Sequence, residues 1–248
     1  MNTTIKDGVL YEVLDTQTQK VGNHKITVKL GENSLYNAEE FNINLTIIKR
    51  DANISISTNT PTTSGNLIVD VNVTDNEKQI DSGVVSFKIN GKTLLDENNN
   101  TITVNVTEDG KAHLNYILPS YIGSGEYNIT AVYSDKNYER VDVTDNFNVD
   151  KSAIGNITAD KITTPKGENT TINMTIKDAQ GREIYGKTKI AIKIDGATVL
   201  NTYIYDGMLN VDLITEKTKV GNHNITVVLG ENSRYLKGNI LIPLEITG

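Results

Sequence analysis

Val21 to Ser34 reads VGNHKITVKLGENS, and Val220 to Ser233 reads VGNHNITVVLGENS. Extended outward without a gap, the match joins Asp7 to Tyr36 with Asp206 to Tyr235, and a looser copy lies between them from Asp109 to Tyr138. The copies recur about every 100 residues, the size of one small domain with its own core. The chain is a tandem repeat, two and a half units long by this spacing.

Asn, Thr, Ile and Val dominate, helical stripes are absent, and short alternating runs recur about every 8 to 12 residues, which together read as all-β. Asn66 to Thr74 shows the pattern, with Leu67, Val69, Val71 and Val73 on one side and Ile68, Asp70, Asn72 and Thr74 on the other. One side faces a core and the other faces water. The third unit repeats the pattern with Ile172, Met174 and Ile176 pointing inward. The next strands, Val85 to Ile89 and Ile190 to Ile194, end in Asn90-Gly91 and Asp195-Gly196, dipeptides that supply the positive φ angles of tight hairpins. Further strands begin after Asp109-Gly110 and Asp206-Gly207. The sixth strand, F, carries Tyr127, Ile129, Ala131 and Tyr133, matched by His223, Ile225, Val227 and Leu229. A last strand runs near Val141 to Val149 or Gly238 to Ile246. This order predicts tandem immunoglobulin-like β-sandwiches.

The predicted domains are a partial repeat over residues 1–48 carrying strands D to G, one sandwich over 49–150 and another over 151–248. Asn2 to Gly8 aligns with Asn201 to Gly207, which lies in mid-unit, so the first unit starts halfway and its strands A to C are expected upstream in a longer parent chain. Such a half-sandwich frays or pairs with another molecule, and concentration-dependent dimers through residues 1–48 are expected. Glu12 falls where Leu114 and Val211 point inward, which marks the half-unit as loosely packed. The linkers Lys49-Arg50-Asp51 and Asp150-Lys151-Ser152 are short and lack Pro and Gly, so an extended rod with restricted bending is expected.

Gly125 to Tyr133 (GEYNITAVY), followed by Asp135-Lys136-Asn137-Tyr138, resembles the GxYxxTAxY...D..NY signature of bacterial and archaeal Ig-like repeat domains. The VGNHxITVxLGENSxY style of the outer units is similar to the adhesin-like proteins of methanogenic archaea. The resemblance covers nearly the whole chain and its motifs are structural. It implies a fold and a cell-surface, extracellular location, and it carries over no catalytic residue. The outer units depart from it in placing His24 and His223 where Tyr is usual.

A net charge of -7 with pI near 5.1 argues against a nucleic-acid binder, which needs a Lys/Arg stripe to displace counterions. There is no cysteine, hence no disulfide, thiolate nucleophile or zinc-thiolate site. No apolar run approaches a membrane span, and no export signal core follows Met1. GxSxG, HExxH, a phosphate-cradling glycine loop and framed carboxylate pairs are all absent, so no enzyme and no cofactor is expected.

His24 and His223 are read as structural: they occupy the strand-F position of Tyr127, where Ig-like folds place a Tyr that bonds nearby backbone, and an imidazole N–H can replace it. His113 belongs to another unit, so no metal site is expected. Gly31 to Tyr36, with counterparts at Gly230 to Tyr235 and Ser134 to Tyr138, is read as a shared turn joining strands F and G. The acids Asp75, Glu77, Asp96, Glu97 and Asp142 lack calcium-loop spacing. Related surface folds carry Lys–Asn isopeptide crosslinks, and Lys161 or Lys166 with Asn146, Asn148 or Asn239 are the pairs to inspect.

Asn2, Asn44, Asn53, Asn72, Asn99, Asn105, Asn128, Asn156, Asn169, Asn173 and Asn224 all open Asn-x-Ser/Thr sequons, about twice what composition alone gives, which points to an externally displayed, glycosylated surface. The functional expectation is a non-catalytic stalk or spacer and adhesion scaffold, with neighbouring repeats and a surface protein or glycan as partners. The alternative is a glycan- or cell-wall-binding module. Aromatic platforms for sugars are scarce without Trp, leaving Tyr121, Tyr203 and Tyr205 as ligand-facing candidates.

Overall fold

A computed structural model describes residues 2–248, and every regular element among them is a β-strand. Strands β1 (Gly22–Leu30) and β2 (Glu39–Ile47) pair antiparallel from Gly22↔Ile47 to Leu30↔Glu39. The middle repeat follows with β3 (Asn53–Thr58), β4 (Asn66–Asp75), β5 (Lys78–Gln79), β6 (Val84–Ile89), β7 (Lys92–Thr93), β8 (Thr103–Asn105), β9 (Lys111–Ile117), β10 (Gly125–Ser134) and β11 (Val141–Val149). One of its sheets is β3-β4-β5 with β9 on β4, and the other is β11-β10-β6-β7 with β8 on β6.

The third repeat holds β12 (Ile162–Pro165), β13 (Thr170–Thr175), β14 (Lys187–Ile194), β15 (Ala197–Tyr205), β16 (Met208–Leu213), β17 (Gly221–Leu229) and β18 (Gly238–Thr247). They form one ladder, β12-β18-β17-β14-β15-β16-β13, which turns its corner through the single pair Tyr205↔Met208. The second layer, β16 and β13, closes over a core that includes Ile172, Ile192, Leu209, Ile225 and Ile242. The architecture is tandem Ig-like sandwiches behind a two-stranded half.

Alternation decides which side chains are inside. Leu67, Val69, Val71 and Val73 along β4 are all essentially inaccessible, and Ile129 and Ile225 are buried while their neighbours Asn128 and Asn224 are exposed. A side-chain period of two leaves no other choice once one face is covered.

The chain divides into two compact units: Met1–Ile56, Asp70–Ala112 and Thr130–Thr144 form the first, and Ser57–Val69, His113–Ile129 and Asp145–Gly248 form the second. The division cuts through β3, β4, β9, β10 and β11, because one end of the middle repeat packs into the second unit. In the first unit, Val71, Val73, Val85, Phe87, Ala131 and Tyr133 make the centre. The Tyr133 hydroxyl donates to the Ser82 carbonyl at 3.1 Å, and burial pushes that phenol well above its ordinary pKa. Gly83 lies beside this ring at φ +92°, where an added Cβ would stand 2.5 Å from Tyr133 Cε2.

The repeat predicts strands D to G within residues 1–48; among the described residues of that stretch only F and G form. Residues 2–21 contain a tight turn closed by the bridge Lys6↔Val9 and no ladder beyond it. The reason is the missing partner. Strand β16 is held by β13 from Thr170↔Leu213 to Thr175↔Met208, and β9 is held by β4. Val9 to Leu14 has no such neighbour, so its backbone groups stay with water, and Glu12 is exposed with them.

Candidate functional site

The start of strand F uses the same bond in all three copies. Tyr127 donates its hydroxyl to the Gly123 carbonyl at 3.1 Å, His24 Nε2 meets the Lys20 carbonyl at 2.5 Å, and His223 Nε2 meets the Lys219 carbonyl at 2.7 Å. Each side chain reaches back four residues and closes the loop before its strand, as a corner tyrosine does. An imidazole nitrogen facing a carbonyl must carry the proton, so Nε2 is the donor in both histidines.

His223 has a second partner, since its Nδ1 lies 2.6 Å from Asp195 Oδ2 and Asp195 Oδ1 accepts the Asn224 amide at 3.0 Å. Both ring nitrogens face acceptors, which is the arrangement of an imidazolium. The hydrogen bond to Asp195, with a smaller contribution from the Lys219 carbonyl, raises the His223 pKa, and the hydrogen bond from His223 lowers that of Asp195. Asp195 heads the β14–β15 turn, so the pair ties that turn to strand F.

The pH consequence follows from linkage. A raised histidine pKa adds stability that is complete below about pH 6.5 and is lost as pH climbs through the folded value; a depressed carboxylate pKa adds stability above about pH 4 that is lost on acidification. The contribution of this pair to the third repeat is therefore expected to be largest between about pH 4 and 6.5 and to fall towards pH 8. His223→Tyr should keep the corner bond and flatten the alkaline limb, as read by calorimetry across pH. An unchanged slope in that variant would place the titration elsewhere.

The F–G loops also share one construction. The Asn33 side-chain oxygen accepts the Leu35 and Tyr36 amides at 2.8 and 3.0 Å, and Asn232 accepts those of Arg234 and Tyr235 at the same distances. Asp135 accepts the Asn137 amide at 2.6 Å in the middle repeat. These are Asx turns, which explains why the loop letters repeat. Each complete repeat then docks its own linker on this loop. In the first unit Arg50 bridges Tyr138 in parallel, its side chain pairs with buried Asp75, and Lys49 Nζ reaches the Asp135 carbonyl at 3.1 Å. In the second unit Ser152 bridges Tyr235 in the same way.

Within the second unit the linker becomes a joint. Thr63 Oγ1 lies 3.0 Å from Ser152 Oγ and 2.8 Å from the Arg234 carbonyl, and Ser152 Oγ donates to the Thr63 carbonyl at 3.0 Å. Thr63 and Ser152 are both buried. Around them, Ser124 donates its amide and hydroxyl to the Ser233 carbonyl at 2.8 and 2.9 Å, Arg182 bonds the Ser64 carbonyl, and Arg234 bonds the carbonyls of Ser120 and Ile122. The Arg234 guanidinium also lies 4.7 Å from the Tyr185 ring centre, and Arg182 pairs with buried Asp178 at 2.8 Å. A buried, multiply bonded linker resists bending far better than a solvated one.

Sequence reasoning missed these joint residues. One signal was available: GENSLY and GENSRY differ only at Leu35 and Arg234, the position that reaches across the joint in the second unit. Asp195 reads from the sequence as a turn residue only, and its pairing with His223 becomes visible once the turn and strand F adjoin.

The remaining candidates lie apart. Tyr121 is exposed; Tyr203 and Tyr205 are exposed two residues apart on β15, with Lys187 Nζ 4.1 Å from the first ring centre and 5.7 Å from the second. That ammonium occupies the ring face a sugar would stack on. The eleven sequon asparagines are exposed except half-buried Asn72. Lys161 pairs with Glu245 at 2.7 Å and the Asn146 amide donates to Glu126 at 2.8 Å, so each of these isopeptide candidates has another partner. His113 is exposed on β9, and among the described residues no three His, Cys, Asp or Glu side chains converge as a metal site would require.

No family model matches the chain, and no curated protein matches it. Solved structures resemble the chain at low identity. A tetra-tandem repeat from the extending region of a large adhesion protein is 15% identical over 93% of this chain and 57% of that one, with a TM-score of 0.44. An I-band fragment of titin is 9% identical over 91% and 74%, with a TM-score of 0.39. Fibronectin(III)-like modules of Clostridium thermocellum CbhA are 13% identical over 78% and 94%, with a TM-score of 0.29. The chain thus spans little more than half of the adhesion-protein structure, and at these scores the likenesses have no bearing on function.

Proposed function

We propose that this chain is a non-catalytic run of Ig-like repeats in an adhesin-like protein of the cell surface, where it serves as a stiff spacer and adhesion scaffold. The observation that carries the reading is the joint in the second unit: a linker with no slack, whose buried Thr63 and Ser152 bond each other and the Arg234 backbone. Catalysis would need a convergent site, and the polar residues that converge here are spent on holding one repeat to the next. The acidic surface and the exposed sequons fit display outside the cell.

Small-angle scattering tests the spacer. A compact globule of this length has a radius of gyration of about 18 Å. Two and a half sandwiches in line, each about 33 Å along its strands, should give clearly more. Arg234→Leu, which restores the residue at the equivalent position of the first copy, is expected to broaden the distance distribution with little change in melting temperature. A wild-type radius at the compact value would sink the reading. Glycosylation has its own test, since protein from the native host should exceed the sequence mass by discrete glycan increments, and an unmodified mass would remove it from the proposal.

A further inference from the structure

Strand β14 carries a row of cations that the rest of its layer does not offset. Alternation buries Thr188, Ile190, Ile192 and Ile194 and turns Lys187, Lys189, Ala191 and Lys193 outward. The five strands of that layer, β12, β18, β17, β14 and β15, contain one carboxylate, Glu245, and it is paired with Lys161 at 2.7 Å. Among the described residues, none of the three lysines has an acidic partner. The chain carries a net charge of -7, so this row is a local reversal of sign.

The neighbouring strands complete the surface. Register places Tyr205 beside Lys187, Tyr203 beside Lys189 and Asn201 beside Ala191 on one side, and Val228 and Thr226 beside Ala191 and Lys193 on the other. The Lys187 ammonium lies 4.1 and 5.7 Å from the Tyr203 and Tyr205 ring centres, which holds it above the sheet. Ala191 is the short side chain of the row and leaves a low floor between Lys189 and Lys193. The copies differ here, although strands F and G of the outer copies repeat almost letter for letter. The middle repeat has Val84 and Ser86 where β14 has Lys189 and Ala191, and the first copy has Thr4 and Lys6 where β15 has Tyr203 and Tyr205. This face is therefore no part of the shared scaffold.

We propose that the outward face of β14 and β15 binds a linear acidic polysaccharide of the polyuronate class, with Lys187, Lys189 and Lys193 pairing its carboxylates and Asn201, Tyr203 and Tyr205 bonding its hydroxyls. From Lys187 to Lys193 the strand spans about 20 Å. Three cations over that length suit a polymer that carries one carboxylate on each sugar. A nucleic acid, with a charge every ~1.7 Å of duplex, brings more negative charge than three lysines offset on an acidic chain, and a densely sulfated glycan does the same. A peptide finds no free backbone edge, because β14 is laddered on both sides by β15 and β17. A neutral sugar meets ring faces that Lys187 already covers. The inference rests on the adhesion part of the proposed function; scattering tests the spacer part, and the two results are independent.

The test titrates the full chain with oligogalacturonate at physiological ionic strength and follows binding by calorimetry. The expected result is saturable binding that weakens with added salt, and none of a neutral dextran oligosaccharide. Lys189→Glu with Lys193→Glu should weaken binding by at least about tenfold. Lys78→Glu with Lys92→Glu makes the same change of net charge at exposed positions of the middle repeat and should leave the affinity within about twofold. Both pairs lie at the surface, and an unchanged melting profile identifies folded variants. Absence of binding to the unaltered chain, equal loss from the two double variants, or tighter binding of heparin or single-stranded DNA than of oligogalacturonate would each overturn it.

Discussion

Phe87→Ala is expected to lower the melting temperature of the middle repeat by more than about 10 °C. Phe87 is fully buried on β6, on the face it shares with Val85 and Ile89. Truncating a buried phenylalanine costs about 3–5 kcal/mol, a lost transfer energy plus a cavity the surroundings fill only in part. A domain of this size holds about 5–15 kcal/mol in all, and each kcal/mol is worth about 4–8 °C. Phe41→Ala is the matched control: that ring is nearly half exposed on β2 and should cost less than about 1 kcal/mol. Calorimetry resolving the separate transitions decides it. A shift below about 3 °C for Phe87→Ala would mean that the middle sandwich has no tightly packed centre there.

Those two phenylalanines mark where the sequence stops being informative. Alternation places Leu67, Val69, Val71 and Val73 inside because strand geometry admits only two faces, and the turn dipeptides Asn90-Gly91 and Asp195-Gly196 do take the positive φ angles their chemistry favours. Repetition places strands F and G of the two outer copies in the same register. It misleads over residues 2–21, where letters that make a strand in the third repeat make none, because a strand needs a partner and the partner lies outside the repeated stretch. The joint was illegible for a related reason. Thr63, Ser152, Arg182 and Arg234 are ordinary polar residues until the fold brings them together, and only the Leu35 to Arg234 exchange marks one of them beforehand.

Gly207 and Gly8 turn that difference into a measurement. Both follow an aspartate in the same turn and both have left-handed backbones, at φ +76° and +77°. A Cβ on Gly207 would stand 2.5 Å from the Ile176 carbonyl oxygen, beside the bond in which the Ile176 amide donates to the Gly207 carbonyl at 2.8 Å. Relief requires β13 and β16 to part at that end. On Gly8 the same Cβ meets nothing within 4 Å. Alanine at either position bears the cost of a positive φ, about 1 kcal/mol, and at Gly207 the clash should raise the total to about 2–4 kcal/mol. Gly207→Ala should therefore lower the third-repeat transition sharply, while Gly8→Ala, which lies in another repeat and meets no neighbour, leaves that transition unchanged. Equal destabilisation of their own repeats by the two substitutions would mean that residues 2–21 are packed as their copy in the third repeat is.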